Sequence, residues 1–224
     1  MSASNRQVLH TTAGDVPLEE VRLDLAGRGW SVLHAGAVLT REDEQRVVDA
    51  TDTALPYGIA LWPSALALAH ELAQRPVKDL RVLELGAGTG LPGLVAAAGG
   101  ARVFQTDRQS VALHLCRKNA ERNGVVDITH RPDDWAAWTD RGHYDLILGS
   151  DILYSPTMHP FLRRIFDANL APGGRLLLAD PLRPSSLALL EEMEGAGWWV
   201  SMSQWTVGLS DPPRPVGVFE LGRR

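Results

Sequence analysis

Four groups of residues have the types and spacing to do chemistry. The first is Arg81-Val-Leu-Glu84-Leu-Gly86-Ala-Gly88-Thr-Gly90-Leu-Pro92-Gly93, an apolar run that ends in an acid and a glycine-rich turn. Pro92 suits the first turn of a helix, where its missing N–H is no loss. The stretch therefore predicts strand, tight turn and helix, the opening of a nucleotide-binding α/β unit. Its glycines let the backbone turn sharply beside a ligand, and the helix start offers free N–H groups to an anion. The second group is Asp107, at the end of the run Val103–Thr106 and about 20 residues on, where a carboxylate can accept from ribose hydroxyls. The third is Asp151 with Tyr154, reached directly from the apolar run Leu146–Leu148. The fourth is tryptophan: Trp62 before a predicted helix, as readily core as pocket wall, and Trp135 in a polar loop. In open α/β sheets ligands lie beyond the carboxyl ends of the strands, so the glycine turn, Asp107 and Asp151/Tyr154 are expected around one crevice.

These groups need elements to hold them. From Leu80 the pattern is strictly β–α. Strands are expected at 81–85, 102–106, 125–129, 145–149, 175–179, 198–205 and 216–221, with 171–174 as a sharp turn before the fifth. Helices are expected at 63–74, 91–98, 110–123, 158–170 and 185–194, the last capped by Ser185. The final strand–turn–strand makes the last strand antiparallel, because a parallel pair needs a longer crossover. Upstream, Val21–Leu25 and Trp30–Leu33 suggest a hairpin turning at Gly27 and Gly29. Thr40 with Asp43 resembles a capping box opening a short helix to Ala50. Residues 1–17 look polar and aperiodic, and mobile. The division expected is an extension over 1–55 and one catalytic domain over 56–224.

Bulk properties narrow the classes. The chain has 224 residues, 45% hydrophobic and 22% charged, as in ordinary globular proteins. A net charge of −5 weighs against nucleic acid, which asks for a basic face. The single cysteine, Cys116, excludes an internal disulfide and is expected as a buried core thiol. No histidine pairs with Cys, Asp or Glu at metal-ligand spacing, so no metal is expected. No run approaches a membrane span and no signal pattern opens the chain, so a cytoplasmic setting is expected.

Glu84-x-Gly86-x-Gly88-x-Gly90, Asp107 and the strand count resemble the seven-stranded S-adenosylmethionine-dependent methyltransferases. The resemblance covers about 80–221. It implies an α/β, Rossmann-like, doubly wound sheet, mostly parallel with the last strand antiparallel. Tyr57–Leu72 with Trp62, Asp134-Trp135 and Asp151-Ile-Leu-Tyr154 are similar to the protein-lysine methyltransferase branch, with its Asp-x-x-Tyr motif. Asp180-Pro-Leu-Arg183-Pro is similar to the group that modifies the β-subunit of electron transfer flavoprotein. The first 55 residues match no pattern of that branch.

What this resemblance implies is S-adenosylmethionine as cofactor and a lysine of a protein, such as that β-subunit, as acceptor. A small amine is the alternative substrate. It places Trp62, Glu84, Gly86, Ala87, Gly88, Gly90, Asp107, Arg108, Asp134, Trp135 and Ser150 at the cofactor, and Asp151 and Tyr154 at the amine. Plainer roles stand beside these. Asp151 would instead cap a helix, Asp134 would as readily cap a loop, Glu84 would bond the turn's backbone, and Arg183 would bind an acidic substrate segment or brace its own loop. Gly88-x-Gly90-x-x-Gly93 also satisfies the pattern of nicotinamide-dependent oxidoreductases, and an idle binding scaffold is a third reading.

Overall fold

The structure, a computed structural model, describes residues 7–11, 14–36, 38, 57–207 and 214–224. The helix expected over 40–50 and most of the proline-rich turn 211–215 lie outside these residues.

The main sheet has seven strands: β4 (Arg81–Leu85), β5 (Arg102–Asp107), β6 (Ile128–Pro132), β7 (Tyr144–Ser150), β8 (Leu170–Asp180), β9 (Trp198–Val207) and β10 (Arg214–Arg223). Their spatial order is β6-β5-β4-β7-β8-β10-β9. Strands from β6 to β8 pair in parallel, and β10 runs antiparallel to both β8 and β9. The expected mostly parallel sheet with an antiparallel last strand is what forms.

Both faces of the sheet are buried, which is why its central strands are nearly all apolar. Alternation sorts their side chains. Val82, Leu146, Leu148, Leu177 and Val218 join one core with α1 (Pro63–Leu72) and α2 (Leu91–Ala98). Leu83, Leu85, Ile147, Leu176, Leu178 and Phe219 join the other, with α4 (His159–Asn169) and α5 (Pro184–Gly195). In α4 the buried residues are Leu162, Ile165, Phe166 and Asn169, the i, i+3, i+4, i+7 stripe of an amphipathic helix. The remaining helix, α3 (Ser110–Arg122), follows β5. From β4 the chain winds outward through β5 to β6, then returns to β7 on the other side. The order therefore reverses between β4 and β7, where an α/β sheet opens a crevice.

Four expectations change. Residues 7–11 and 14–17 are not aperiodic coil. β1 (Gln7–Thr11) pairs with β2 (Gly14–Leu25), and β2 with β3 (Arg28–His34), in a separate antiparallel sheet. Leu9, Val16 and Leu18 are buried against Ile59, Ala112 and Leu115, a contact with no local sequence signature. The turn expected at 171–174 lies inside β8 as a bulge: Tyr144 pairs with Leu170, but Leu146 already pairs with Arg175. Gly173, at φ 76°, supplies the left-handed residue of that bulge. Finally, the third strand lies at 128–132 rather than 125–129, and α5 begins at Pro184 with Arg183, not Ser185, at its cap.

Candidate active site

Beyond the carboxyl ends of β4 and β7 lies a cavity of about 680 Å³. Its floor is the glycine turn. Gly86, Gly88 and Gly90 have φ of 63°, 56° and 77°, so each alternate glycine sits where a side chain would be strained. Close approach adds to this at Gly86: a Cβ would lie 3.0 Å from Ile152 Cγ2 and 3.3 Å from the Trp135 ring.

Glu84 supports the turn from below. It is 1% exposed, and its Oε2 accepts from Gly93 N at 3.2 Å and from Gln105 Nε2 at 2.7 Å. Gln105 also donates to Gly90 O at 2.9 Å. Burial pushes the Glu84 carboxyl up to about 8, outweighing the Gln105 and Gly93 hydrogen bonds. Cys116 is buried behind the turn, its Sγ 3.4 Å from Gly88 O, and burial raises its thiol well above the usual range. It is the buried core thiol expected.

Asp107, at the end of β5, is tied to the turn. Its Oδ2 accepts from Gly88 N at 3.1 Å and its Oδ1 from Gln109 N at 2.8 Å. Burial raises its carboxyl, against the pull of the Gln109 and Gly88 N–H groups.

Asp151 follows β7 directly. Its φ is 54°, and its N–H donates to Ala179 O at 2.9 Å. Asp tolerates this left-handed conformation better than most residues, and strain of this kind collects at functional sites. Its Oδ1 accepts from Arg183 Nη1 at 2.7 Å, and the same nitrogen donates to Asp180 Oδ2 at 2.9 Å. Asp180 is fully buried and also accepts from Ser186 Oγ at 2.8 Å and Arg183 N at 2.8 Å. Asp151 Oδ2 is buried, and the buried Ser64 hydroxyl is a further hydrogen-bonding neighbour of this carboxylate. Burial raises the Asp151 carboxyl, with Arg183 and the neighbouring Ser64 hydroxyl pulling it back. Tyr154, 60% exposed, stands on the cavity wall.

Ten of the residues picked from sequence line this cavity: Trp62, Gly86, Gly88, Asp107, Arg108, Asp134, Trp135, Ser150, Asp151 and Tyr154. Three do not. Glu84 lies beneath the turn, Ala87 is 4% exposed with its N–H on Thr106 O, and Gly90 faces Cys116 and Gln105. Asp134 also caps the short turn that holds Trp135, accepting from Ala136 N at 2.9 Å. Asp151 is not the cap of a helix: α4 starts later, with Met158 at its cap. Arg183 is paired with two acids and so braces its loop; it is not a free cation for an acidic segment. Gly58, Gln109, Asp133, Ile152 and Met158 line the cavity as well and were not singled out. Gly58 and Ile152 lie inside the motif segments, and Gln109, Asp133 and Met158 lie close to them in sequence.

Among the described residues no group of His, Cys, Asp and Glu could hold a metal ion, and no helix is long and apolar enough to cross a membrane.

Residues 42–186 match the model of a family described as lysine methyltransferase. Curated relatives include the histone-arginine methyltransferase METTL23 of Xenopus laevis, 35% identical over 51% of this chain and 53% of that protein. Another is the protein-lysine methyltransferase METTL21E of Mus musculus, 37% identical over 49% of each. The chain thus spans about half the length of these relatives. Among solved structures, a Thermus thermophilus 16S rRNA N2 G1207 methyltransferase in complex with AdoMet and guanosine superposes with a TM-score of 0.61. At 20% identity, over 92% of this chain and 51% of that one, it shares the fold.

Proposed function

The chain belongs to the lysine methyltransferase family, and from that premise we propose that it methylates the side-chain amine of a lysine in a protein, with S-adenosylmethionine as donor. The names of its relatives support a protein acceptor. The cavity supports the donor. It is of the size that takes a cofactor. The left-handed glycine turn leaves backbone rather than side chain at its floor, and the Trp135 ring borders Gly86. Asp107 stands where ribose hydroxyls would be held, Trp135 where an adenine would be flanked, and Trp62 near the methionine end.

When bound, S-adenosylmethionine supplies an electrophilic methyl on a sulfonium whose leaving thioether is neutral. Little acid–base machinery is then required of the chain, whose task is alignment at near-attack distance. The amine must arrive without its extra proton, and a buried setting favours the neutral form. The Asp151 carboxylate accepts a hydrogen from the amine and so orients its lone pair, while the Tyr154 ring faces the entering side chain.

The observation that carries this reading is the convergence of the left-handed glycine turn, Asp107 and Trp135 with Asp151 and Tyr154 on one cavity. The test is transfer of labelled methyl from S-adenosylmethionine to lysate proteins and to purified electron transfer flavoprotein β-subunit, followed by residue analysis. Label in methyl-lysine supports the reading. Label confined to small amines, or cofactor binding with no transfer to any acceptor, overturns it.

A further inference from the structure

The edges of the two sheets are not alike. β6 is five residues long and ends in Arg131-Pro132, and β1 is five residues long. β3 is covered: side chains of Asn123 and Asn119 bond the backbone of Ser31 and Leu33. Short strands, charges, prolines and covering groups are the usual guards of an edge. β9 has none of them. It is ten residues long, Trp198-Trp-Val-Ser-Met-Ser-Gln-Trp-Thr-Val207, without a charge or a proline, and it pairs with β10 position by position without a bulge. Among the described residues no strand lies on its outer side. Its centre, 201–204, is exposed, and Met202, at 50%, is one of three large hydrophobic residues exposed among those described.

We propose that β9 pairs with β9 of a second copy of this chain, antiparallel, about a two-fold axis at Met202. The backbone and the side chains both fit this partner. Arg224 N donates to Gly197 O at 3.1 Å, which continues the β9–β10 register. In an antiparallel pair, residues that bond across alternate with residues that bond away. The odd-numbered residues of β9 therefore bond to β10, and the N–H and C=O groups of Val200, Met202 and Gln204 point outward. An axis at Met202 sets Met202 against its own copy and Val200 against Gln204, so that each outward N–H meets an outward C=O. It also sets Ser201 against Ser203 and Trp199 against Trp205. The strand thus reads alike in both directions, Trp-x-Ser-Met-Ser-x-Trp, and a two-fold contact requires such self-complementarity. Serine pairs and aromatic pairs are favourable across strands, and no like charges meet. Both rings are already held: the Arg175 guanidinium lies over Trp199 at 5.0 Å, and Trp205 Nε1 donates to Glu71 Oε2 at 3.0 Å.

The pairing also leaves the active sites apart. β10 is antiparallel to both β8 and β9, so β9 runs in the direction of the parallel strands. Turning a second copy about the axis reverses that direction, and the two cavities open at opposite ends of one continuous sheet. Neither copy completes the other's site.

The test is sedimentation velocity of the full chain over a range of concentrations, joined to amide exchange. Two paired edges make a small interface, so a dimer with a dissociation constant on the order of 10 μM is expected. Met202→Lys sets like charges against each other at the axis and should weaken the dimer at least ~tenfold. Its affinity for S-adenosylhomocysteine should stay within about twofold, which reports that the variant is folded. The amides of Val200, Met202 and Gln204 should gain protection as concentration rises, whereas those of Ser201 and Ser203, bonded to β10, should be protected throughout. A chain that stays monomeric at every concentration overturns the pairing. So does a dimer that Met202→Lys leaves intact, or one in which the Met202 amide exchanges as fast as in the monomer.

Discussion

The Oε2 atom of Glu84 occupies the space that a side chain on Gly93 would need. It accepts the Gly93 N–H, and a Cβ at that position would run into it and into Gln105 Nε2 at 2.7 Å. Gly93→Ala should therefore push apart the acid, the amide and the start of α2. The expected loss is about 1–3 kcal/mol of stability, with weaker cofactor binding. Urea unfolding with a calorimetric titration of S-adenosylhomocysteine would show it, and an unchanged midpoint would mean that the turn has slack.

Glu84 also makes stability depend on pH. Its carboxyl is raised from 4.5 to about 8 in the folded chain. Below the unfolded value both states carry the proton and nothing changes. Between about 4.5 and about 8 the unfolded chain releases a proton that the folded chain keeps, so this group's contribution to stability falls as pH rises, by up to ~1.4 kcal/mol per pH unit. Glu84→Gln should remove that slope. Unfolding curves at the two ends of this window decide the matter: the wild type should lose ground to the variant toward alkaline pH, and parallel slopes would show that Glu84 titrates normally.

Asp107 holds the turn as well as facing the cavity. Asp107→Ala frees two backbone N–H groups, at Gly88 and Gln109, and removes the ribose acceptor. Affinity for S-adenosylhomocysteine should drop at least ~tenfold. Unchanged affinity by calorimetry would take Asp107 out of the cofactor site.

Asp151→Asn keeps the shape and removes the charge. Turnover on the lysine acceptor should fall by two orders of magnitude or more, on the scale of losing a preorganised polar contact to the reacting group. Affinity for S-adenosylhomocysteine should stay within about twofold, within the few tenths of a kcal/mol of a change outside the cofactor contacts. Initial rates and calorimetry separate the two, and near-normal turnover would reduce Asp151 to a structural acid.

Asn119 is fully buried in α3 and bridges two regions. It accepts from Leu33 N at 2.8 Å and donates to Leu33 O at 3.1 Å and to Thr89 O at 2.9 Å. Asn119→Ala leaves three backbone groups unpaired and should cost roughly 3 kcal/mol. A thermal melt would register this, and faster amide exchange at Leu33 would locate it.

What the sequence made legible follows from local rules. The glycines at 86, 88 and 90 announced a turn because few other residues accept positive φ, and all three adopt it. The strand ends at Asp107 and Asp151 were legible because α/β sheets gather ligands there. The Asp151–Arg183 pair was not. Its partners lie 32 residues apart and meet only because β7 and β8 are neighbours in the sheet. Nor did spacing show that Ala87 and Gly90 turn inward, since alternate residues of a tight turn can point to either side. Leu9, Val16 and Leu18 look scattered in a polar stretch until the sheet they form closes over Ile59 and α3.

That N-terminal sheet is not an appendage. Its Leu25, Trp30 and Val32 share a core with α1 and α2. Just beyond β3, Ala35 N donates to Ile59 O, Leu61 N to Gly36 O and Val38 N to Leu61 O, each at 2.9 Å, beside Gly58 on the cavity wall. Cooperativity is the consequence. Loss of the sheet would strip the buried faces of Ile59, Ala112 and Leu115 and loosen the segment around Gly58, so the chain should melt in one transition rather than shed its first strands. A fragment trimmed to residue 56 would then be an opened molecule, with the floor of its cavity intact and one wall adrift.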